Sequence, residues 1–238
     1  MRRRVPGGPA KPAPPRVRPA HRREVRREED RPPDAVERSA SKAPAILDIS
    51  RTIDERTEVW PGDVRFRWRP TARLVEGSLF ESTCFTMSAH VGTHVDAPSH
   101  VVAGGESIGR VDLKPFLGEA CVVDLPGRGE ISPEALPRGT FAAPRVLFKT
   151  GGRVFLSPLA ALRIAEKGCI LVGTDAMSVD PGDAADLPVH RTLLSRGVAL
   201  LENLDLSAVM PGMYQLVALP IRFRELDASP VRAILIRK

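Results

Sequence analysis

The residues most able to do chemistry in this 238-residue chain lie in one short, histidine-rich segment. Residues 90–100 contain His90, His94, Asp96 and His100, which include three of the five histidines in the chain. Imidazole nitrogens and carboxylate oxygens are donors that bind zinc and related divalent metals. Because all four positions are even-numbered, the two-residue period of an extended strand would place them on one face. The pattern therefore predicts a metal site.

The segment must bend if its side chains are to share a metal ion. Ten fully extended steps from His90 to His100 would span roughly 33 Å, far more than one coordination shell. Gly92 and Pro98 are the residues where the chain can turn. A helix is disfavoured because glycine, proline and three β-branched residues interrupt the segment. We therefore expect an extended segment that turns at Gly92 and at Pro98.

The fourth candidate histidine, His190, lies far downstream within residues 186–190. A single histidine is more often a hydrogen-bonded structural residue than a metal ligand. Three histidines at spacings of four and six, with an acid between them, are much less often structural. Spacing alone does not decide whether His190 meets the first cluster.

The segment from His90 to His100 resembles the H-x-G-T-H-x-D-x-P-x-H motif of the cyclase-like metal-dependent hydrolases. Within that family the chain looks most like bacterial kynurenine formamidase (arylformamidase), and the resemblance covers residues 46–237. The other segments that carry it are LDIS at 47–50, WPGD at 60–63, GTD at 173–175, SVDP at 178–181, DLPVH at 186–190, LENL at 201–204, LP at 219–220 and LDASPVRA at 226–233.

The resemblance implies a fold and a site. The fold would be α/β, a single domain with a mixed, partly barrel-like β-sheet and few helices, known as the swivelling β/β/α cyclase-like fold. The implied metal ligands are His90, His94, Asp96, His190 and Glu202, the implied proton donor and acceptor is His100, and the implied substrate contact is Trp60. Asp96 would bridge two ions where two are bound. Zinc is the expected metal with manganese as the alternative, and relatives form homodimers or tetramers.

The residues are compatible with hydrolysis of an amide. A metal held by imidazoles and a carboxylate can lower the pKa of bound water from 15.7 to roughly 7. His100 suits a proton shuttle, because histidine ordinarily titrates near 6.5. Trp60 is either a stacking wall for an aromatic substrate or a plug at the edge of the core.

The leading hypothesis is therefore hydrolysis of N-formyl-L-kynurenine to L-kynurenine and formate, in tryptophan breakdown. The alternative is an isatin hydrolase-like enzyme, or another cyclase-family hydrolase of a small cyclic or aryl amide. Three stretches differ from the family's pattern and leave the substrate open, namely residues 176–177, residue 191 and residues 150–157.

The formal charge of +6 belongs to one end of the chain. Residues 1–44 hold 13 Lys and Arg against six acids, and subtracting these from the totals of 35 and 29 leaves 22 basic and 23 acidic residues elsewhere. The same 44 residues hold 9 of the 23 prolines and few large apolar side chains. We predict a disordered basic tail over 1–44 and a hydrolase domain over 45–238. Nucleic-acid binding by the tail is a remote alternative, because acids interrupt its basic runs and interleaved aromatics are missing.

The remaining composition indicates a cytoplasmic protein. No apolar run approaches the ~18–20 residues of a membrane span, and no apolar stretch follows the N-terminal arginines as it would in a secretory signal. Cys84, Cys121 and Cys169 share no C-x-x-C spacing, and each lies in an apolar, strand-like run. We expect three buried thiols in a reducing compartment.

The hydrophobic pattern predicts a mixed sheet with few helices. One helix should begin at Pro158 behind the N-cap Ser157 and end at Gly168, and a second should cover residues 188–196. The expected strands are residues 64–68, 84–90, 120–125, 145–149, 169–173, 198–201, 213–219 and 231–236, after a first apolar run that starts at Ala45.

Overall fold

The computed structural model describes residues 45–237. The prediction of a disordered tail over residues 1–44 lies outside them. The strands of the described part are β1 Ala45–Asp48, β2 Arg67–Ala72, β3 Ser82–Thr86, β4 His94–Asp96, β5 Leu117–Asp124, β6 Gly129–Ile131, β7 Arg145–Lys149, β8 Val154–Leu156, β9 Leu171–Thr174, β10 Ala199–Glu202, β11 Gly212–Val217, β12 Ala228–Pro230 and β13 Ile234–Arg237. Its α-helices are α1 Pro158–Glu166 and α2 Pro188–Leu194.

Nine strands form one mixed sheet in the order β1-β13-β11-β5-β7-β9-β10-β4-β12. The central strands β5, β7, β9 and β10 run parallel to their neighbours in that group. The strands on either side pair antiparallel. The sheet curls into a half-barrel, so the predicted α/β fold with a mixed sheet and few helices is confirmed.

Apolar side chains cover both faces of the central strands, because successive residues of a strand point to opposite sides. On β5, Val122 joins one buried cluster while Cys121 and Val123 join the other. On β10, Leu201 and Leu200 divide in the same way. Strands covered on both faces read as continuous apolar runs, which is why the sequence showed runs here instead of strict alternation.

Both predicted helices are present and pack on one face of the sheet. The side chain of Ser157 caps α1 by accepting a hydrogen bond from the Ala160 backbone N–H at 3.1 Å. Fully buried Ile164 and Leu193 anchor α1 and α2 in the apolar cluster on that face. Among the described residues, no helix combines the length and the apolar content needed to cross a membrane.

At the hairpin of β2 and β3 the structure differs from two strand predictions and from one cysteine prediction. The predicted strands 64–68 and 84–90 are displaced, because the chain leaves β3 after Thr86 and turns, with Ser88 donating to the Val64 carbonyl at 2.8 Å. Within the part of the chain that the structure describes, these two strands form a sheet of their own. Most of their residues are exposed, Cys84 among them, so the expectation of three buried thiols is wrong for Cys84 and confirmed for Cys121 and Cys169.

Candidate metal centre

Strand pairing places three of the predicted ligands together. His94 and Asp96 lie two residues apart on β4, so their side chains share a face of the sheet. β4 pairs antiparallel with β10 in a register that sets Glu202 directly opposite His94. Val95, between the two β4 ligands, points into the apolar cluster on the other face and is fully buried. Burial of Val95 on the apolar face therefore places His94 and Asp96 on the opposite face of the sheet.

The chain bends on both sides of β4, as the spacing required. Gly92 adopts a left-handed φ of +71°, and Pro98 begins a 3₁₀ turn that ends at His100. These bends fold the two outer histidines back over the strand. The ring centroids of His90 and His100 lie 4.4 Å apart, and those of His90 and His94 lie 5.0 Å apart.

His190 reaches the cluster from α2. The buried carboxylate of Asp180 accepts hydrogen bonds from the backbone N–H of Val189 at 2.9 Å and of His190 at 3.0 Å, and it lies 2.6 Å from His190 Nδ1. Leu187, just before the helix, has a left-handed φ of +48°, a strained conformation for a leucine. The Asp180 contacts therefore set both the start of the helix and the orientation of the imidazole.

The donor atoms converge on the carboxylate of Asp96. Its Oδ1 atom lies 3.0 Å from His90 Nδ1 and 3.5 Å from His94 Nε2, whereas its Oδ2 atom lies 3.4 Å from His190 Nε2. The Glu202 carboxylate lies 3.6 Å from His94 Nε2 and 3.3 Å from His190 Nε2. The two oxygens of Asp96 thus face two different sets of nitrogens.

The environment of Asp96 also favours a bound cation. Asp96 is buried, and imidazole nitrogens lie 3.0–3.5 Å from its oxygens without a hydrogen bond of good geometry among the described residues. A buried carboxylate is strongly unfavourable unless a cation compensates it. Ligand atoms close enough to share one ion occur in three groups of described residues, which are His90, His94, Asp96, then Asp96, His100, His190, and also His90, His100, Asp227. The residues present therefore fit a divalent metal.

The pKa values reflect the same concentration of charge. Burial would raise the pKa of Asp96, but the surrounding histidines hold it well below its usual range. Burial would lower the pKa of His90, but contacts with Asp96 and Asp227 outweigh it and raise the pKa to about 9. The pKa of His190 likewise stays well above its ordinary value despite burial, because Glu202 and neighbouring carboxylates favour the charged imidazole. Protons thus balance the carboxylates where no metal does.

Each histidine that could bind the metal is held at its second nitrogen. The carbonyl oxygen of Gly92 lies 2.9 Å from His94 Nδ1, Asp180 holds His190, and Asp227 Oδ2 lies 3.1 Å from His90 Nε2. Such outer partners orient metal-binding imidazoles and select their tautomers. Sequence reasoning had not singled out Asp180 or Asp227, although both lie inside segments that resemble the family.

The predicted site residues border one cleft with a volume of about 150 Å³. His90, His94, His100, His190, Glu202 and Trp60 all line it, and Asp96 lies buried next to them. Met177 and Leu187 add apolar surface, while Glu58 and Asp63 supply acidic side chains. The cleft therefore combines one apolar wall with a cluster of metal donors.

Comparisons with known proteins agree with this geometry. Residues 47–181 match the family described as "Putative cyclase". The kynurenine formamidase of Salinibacter ruber (strain DSM 13855 / M31) is 42% identical over 205 residues, which cover 80% of this chain and 97% of that protein.

Two solved structures share the fold. One, described as a "predicted metal-dependent hydrolase" from Bacillus stearothermophilus, is 27% identical with a TM-score of 0.70, covering 82% of this chain and 100% of that one. The other, isatin hydrolase A from Labrenzia aggregata bound to benzyl benzoate, is 24% identical with a TM-score of 0.69, covering 84% and 96%.

Proposed function

This chain belongs to the cyclase family, and from that membership we propose that it is a metal-dependent hydrolase that converts N-formyl-L-kynurenine and water to L-kynurenine and formate. The observation that carries the proposal is the buried carboxylate of Asp96, whose two oxygens face imidazole nitrogens on two sides and, among the described residues, accept no hydrogen bond of good geometry. That arrangement suits a divalent cation next to an open cleft. The similarity to kynurenine formamidases supports the choice of amide.

The metal ligands in this proposal follow the two faces of Asp96. His90, His94 and Asp96 would bind one ion, and Asp96 would share a second ion with His190 and Glu202. Zinc is the proposed metal, with manganese as the alternative, because nitrogen and oxygen donors suit both. When bound, the metal supplies activation of water and polarisation of the amide carbonyl.

His100 is proposed to move the proton. Its ring borders the cleft, 5.8 Å between centroids from His190 and 4.4 Å from His90. Its Nδ1 atom lies 3.1 Å from Asp227 Oδ2, so its Nε2 atom is left for the reacting groups. His100 would accept a proton from the attacking water and deliver it to the departing nitrogen.

Trp60 is proposed to form the wall against which the aromatic ring of the substrate packs. It begins a turn in which the Asp63 N–H donates to the Trp60 carbonyl at 3.0 Å. Gly62 supplies the left-handed φ of +98° that this turn needs. The indole lies in the lining of the cleft. A planar aryl amide packed against it would place its carbonyl next to the proposed metal site.

The second candidate is hydrolysis of isatin or another small cyclic or aryl amide, which the shared fold of isatin hydrolase A favours. The test is a substrate panel of N-formylkynurenine, N-formylanthranilate and isatin with metal-loaded protein, together with metal analysis. Release of formate and kynurenine from the first compound, lost on chelation and restored by metal, is the expected result. Turnover of isatin with none of N-formylkynurenine would replace the first proposal with the second.

A paired variant tests the assigned roles within the site. His100→Ala should bind metal as tightly as the parent protein yet lose most of its turnover, whereas Asp96→Asn should lose metal binding. Full activity in His100→Ala would contradict the shuttle role.

We also propose that the chain forms a homodimer or homotetramer. The hairpin of β2 and β3 exposes large apolar side chains, including Trp68 at 51%, Phe80 at 63% and Phe85 at 60% exposure. A second copy of the chain packed against the hairpin would cover this surface. Light scattering at several concentrations should give a mass of two or four chains, and a Trp68→Glu, Phe85→Glu variant should be smaller. A monomeric parent protein would overturn this proposal.

The extension over residues 1–44 is proposed to be dispensable for hydrolysis, with residues 45–238 acting as the enzyme domain in the cytoplasm. Deleting residues 2–44 should leave kcat and KM unchanged. Retention on DNA that disappears at high salt and requires the extension would instead support nucleic-acid binding. Fractionation of cells that express the tagged protein tests the location.

A further inference from the structure

We propose that Asp227 is a positioning residue that holds His90 and His100 through a single carboxylate oxygen. Asp227 would fix which ring nitrogen of His90 faces the metal and which ring nitrogen of His100 faces the substrate. This inference rests on the roles proposed above for His90 as a metal ligand and His100 as the proton shuttle.

The backbone of Asp227 is fixed beside the strand that carries the ligands. Asp227 immediately precedes β12, which pairs with β4 so that Ala228 lies opposite Asp96. The carbonyl oxygen of Asp227 accepts a hydrogen bond from the Ala97 N–H at 2.8 Å. The carboxylate is therefore carried by the sheet, and its distance from the site does not depend on a free loop.

One oxygen of Asp227 meets both rings. Oδ2 lies 3.1 Å from His90 Nε2 and 3.1 Å from His100 Nδ1. A carboxylate accepts hydrogen bonds, so each of these nitrogens carries its proton towards Asp227. In the metal-loaded protein the opposite nitrogens would then carry no proton, so that His90 Nδ1, which lies 3.0 Å from Asp96 Oδ1, is left to bind the metal and His100 Nε2 is left for the substrate. A single residue thus selects the tautomer of a ligand and of the shuttle.

Asp227 differs from Asp180, the other carboxylate that holds an imidazole. Asp180 is fully buried and also caps the start of α2, so its loss would disturb folding. The side chain of Asp227 is 47% exposed, and its carboxylate contacts the two histidine rings. Replacing it leaves no large cavity, so its variants should fold and can be measured.

The experiment compares Asp227→Asn and Asp227→Ala with the control Glu225→Gln, which removes an exposed carboxylate two residues earlier. Metal affinity is measured by competition with a chelating dye. The Asp227 variants should bind zinc about 10- to 100-fold more weakly, because the outer partner of His90 is lost. At saturating zinc, kcat should fall by about 10²-fold or more with KM changed by less than about threefold. Glu225→Gln should change neither quantity.

A double-variant comparison separates positioning from a structural role. In the His100→Ala background, Asp227→Asn should cause no further loss of kcat at saturating zinc, because its effect on turnover passes through His100. Its effect on zinc affinity should persist there, because that effect passes through His90. A further fall in kcat by the same factor, or unchanged zinc affinity and kcat in the single variant, would overturn the proposal.

A spectroscopic measurement keeps the outcome separate from that of the proposed function. Nitrogen-15 NMR of the zinc-loaded protein should show His100 protonated at Nδ1, and Asp227→Ala, which removes the acceptor, should change that tautomer. If the parent protein hydrolyses none of the three amides, the proposed function fails, while zinc affinity and the tautomer still decide the role of Asp227. An unaltered tautomer in Asp227→Ala would refute its role at His100.

Discussion

Replacing Gly92 by alanine should damage the metal site through the backbone. Gly92 has a φ of +71°, a region that costs an L-residue roughly 1–2 kcal/mol. A Cβ atom there would lie 2.7 Å from Ile53 Cγ1 and 2.9 Å from Ile53 Cδ1. Relieving such overlap costs about 1–3 kcal/mol more. Gly168→Ala is a matched control, because its φ is +80° and nothing lies within 4 Å of the added atom.

Urea unfolding of the metal-free proteins measures both contributions. Gly92→Ala should lose about 2–5 kcal/mol of unfolding free energy, and Gly168→Ala should lose only the conformational part, about 1–2 kcal/mol. Gly92→Ala should also weaken zinc binding, since Gly92 links His90 to His94 and its carbonyl holds the His94 ring. Gly168→Ala should bind zinc normally.

A second variant isolates the steric part. Combining Gly92→Ala with Ile53→Ala removes the atoms that the new Cβ would meet, so the pair should lose less stability than the sum of the single losses. Equal losses in the two glycine variants, or strictly additive losses in the pair, would refute this account of Gly92.

Three further predictions concern pH, thiols and a helix cap. The raised pKa of His90, about 9 against an ordinary 6.5, stabilises the metal-free protein fully below pH 6.5, and this contribution is lost as the pH rises through about 9. The Tm of the metal-free protein should therefore fall between pH 7 and pH 9.5, whereas the affinity for zinc should rise over the same range. Zinc binding should also release protons, which calorimetry in buffers of different ionisation enthalpy can measure. Cys84 should react with a thiol reagent in the native protein, whereas Cys121 and Cys169 should react only after unfolding. Cys121 and Cys169 are buried, and burial raises the pKa of Cys169 to about 11. Rapid reaction of all three thiols in the native protein would contradict this prediction. Ser157→Ala should lower the unfolding free energy by about 1 kcal/mol with kcat unchanged, and an unchanged urea midpoint would show that the cap is unimportant.

The sequence indicated part of the candidate metal site because that part of its information is local. His90, His94 and Asp96 lie within seven residues of one another, so their types and spacing point to a metal before any fold is known. Gly92 and Pro98 then had to supply the bends, and both lie at turns in the structure. The capped helix behind Ser157 was equally local.

The partners that hold the rings were not predictable in the same way. Asp227 is more than a hundred residues from both histidines, and only the pairing of β12 with β4 brings it to them. Asp180 lies ten residues before His190, and its role depends on the turn that starts α2. The exposure of Cys84 was missed because the pattern of an apolar strand does not reveal whether a second layer covers it.

The pairing of β4 with β10 also determines when the site can exist during folding. His94 and Glu202 face each other across these strands although 108 positions separate them in the chain. Contacts between such distant segments form late, because a long loop must close first. A nascent chain that lacks β10 has neither Glu202 nor the neighbour that orders β4. A metal bound by the full proposed ligand set would therefore stabilise the finished fold and not its precursors, so we expect tight metal binding only after folding is complete.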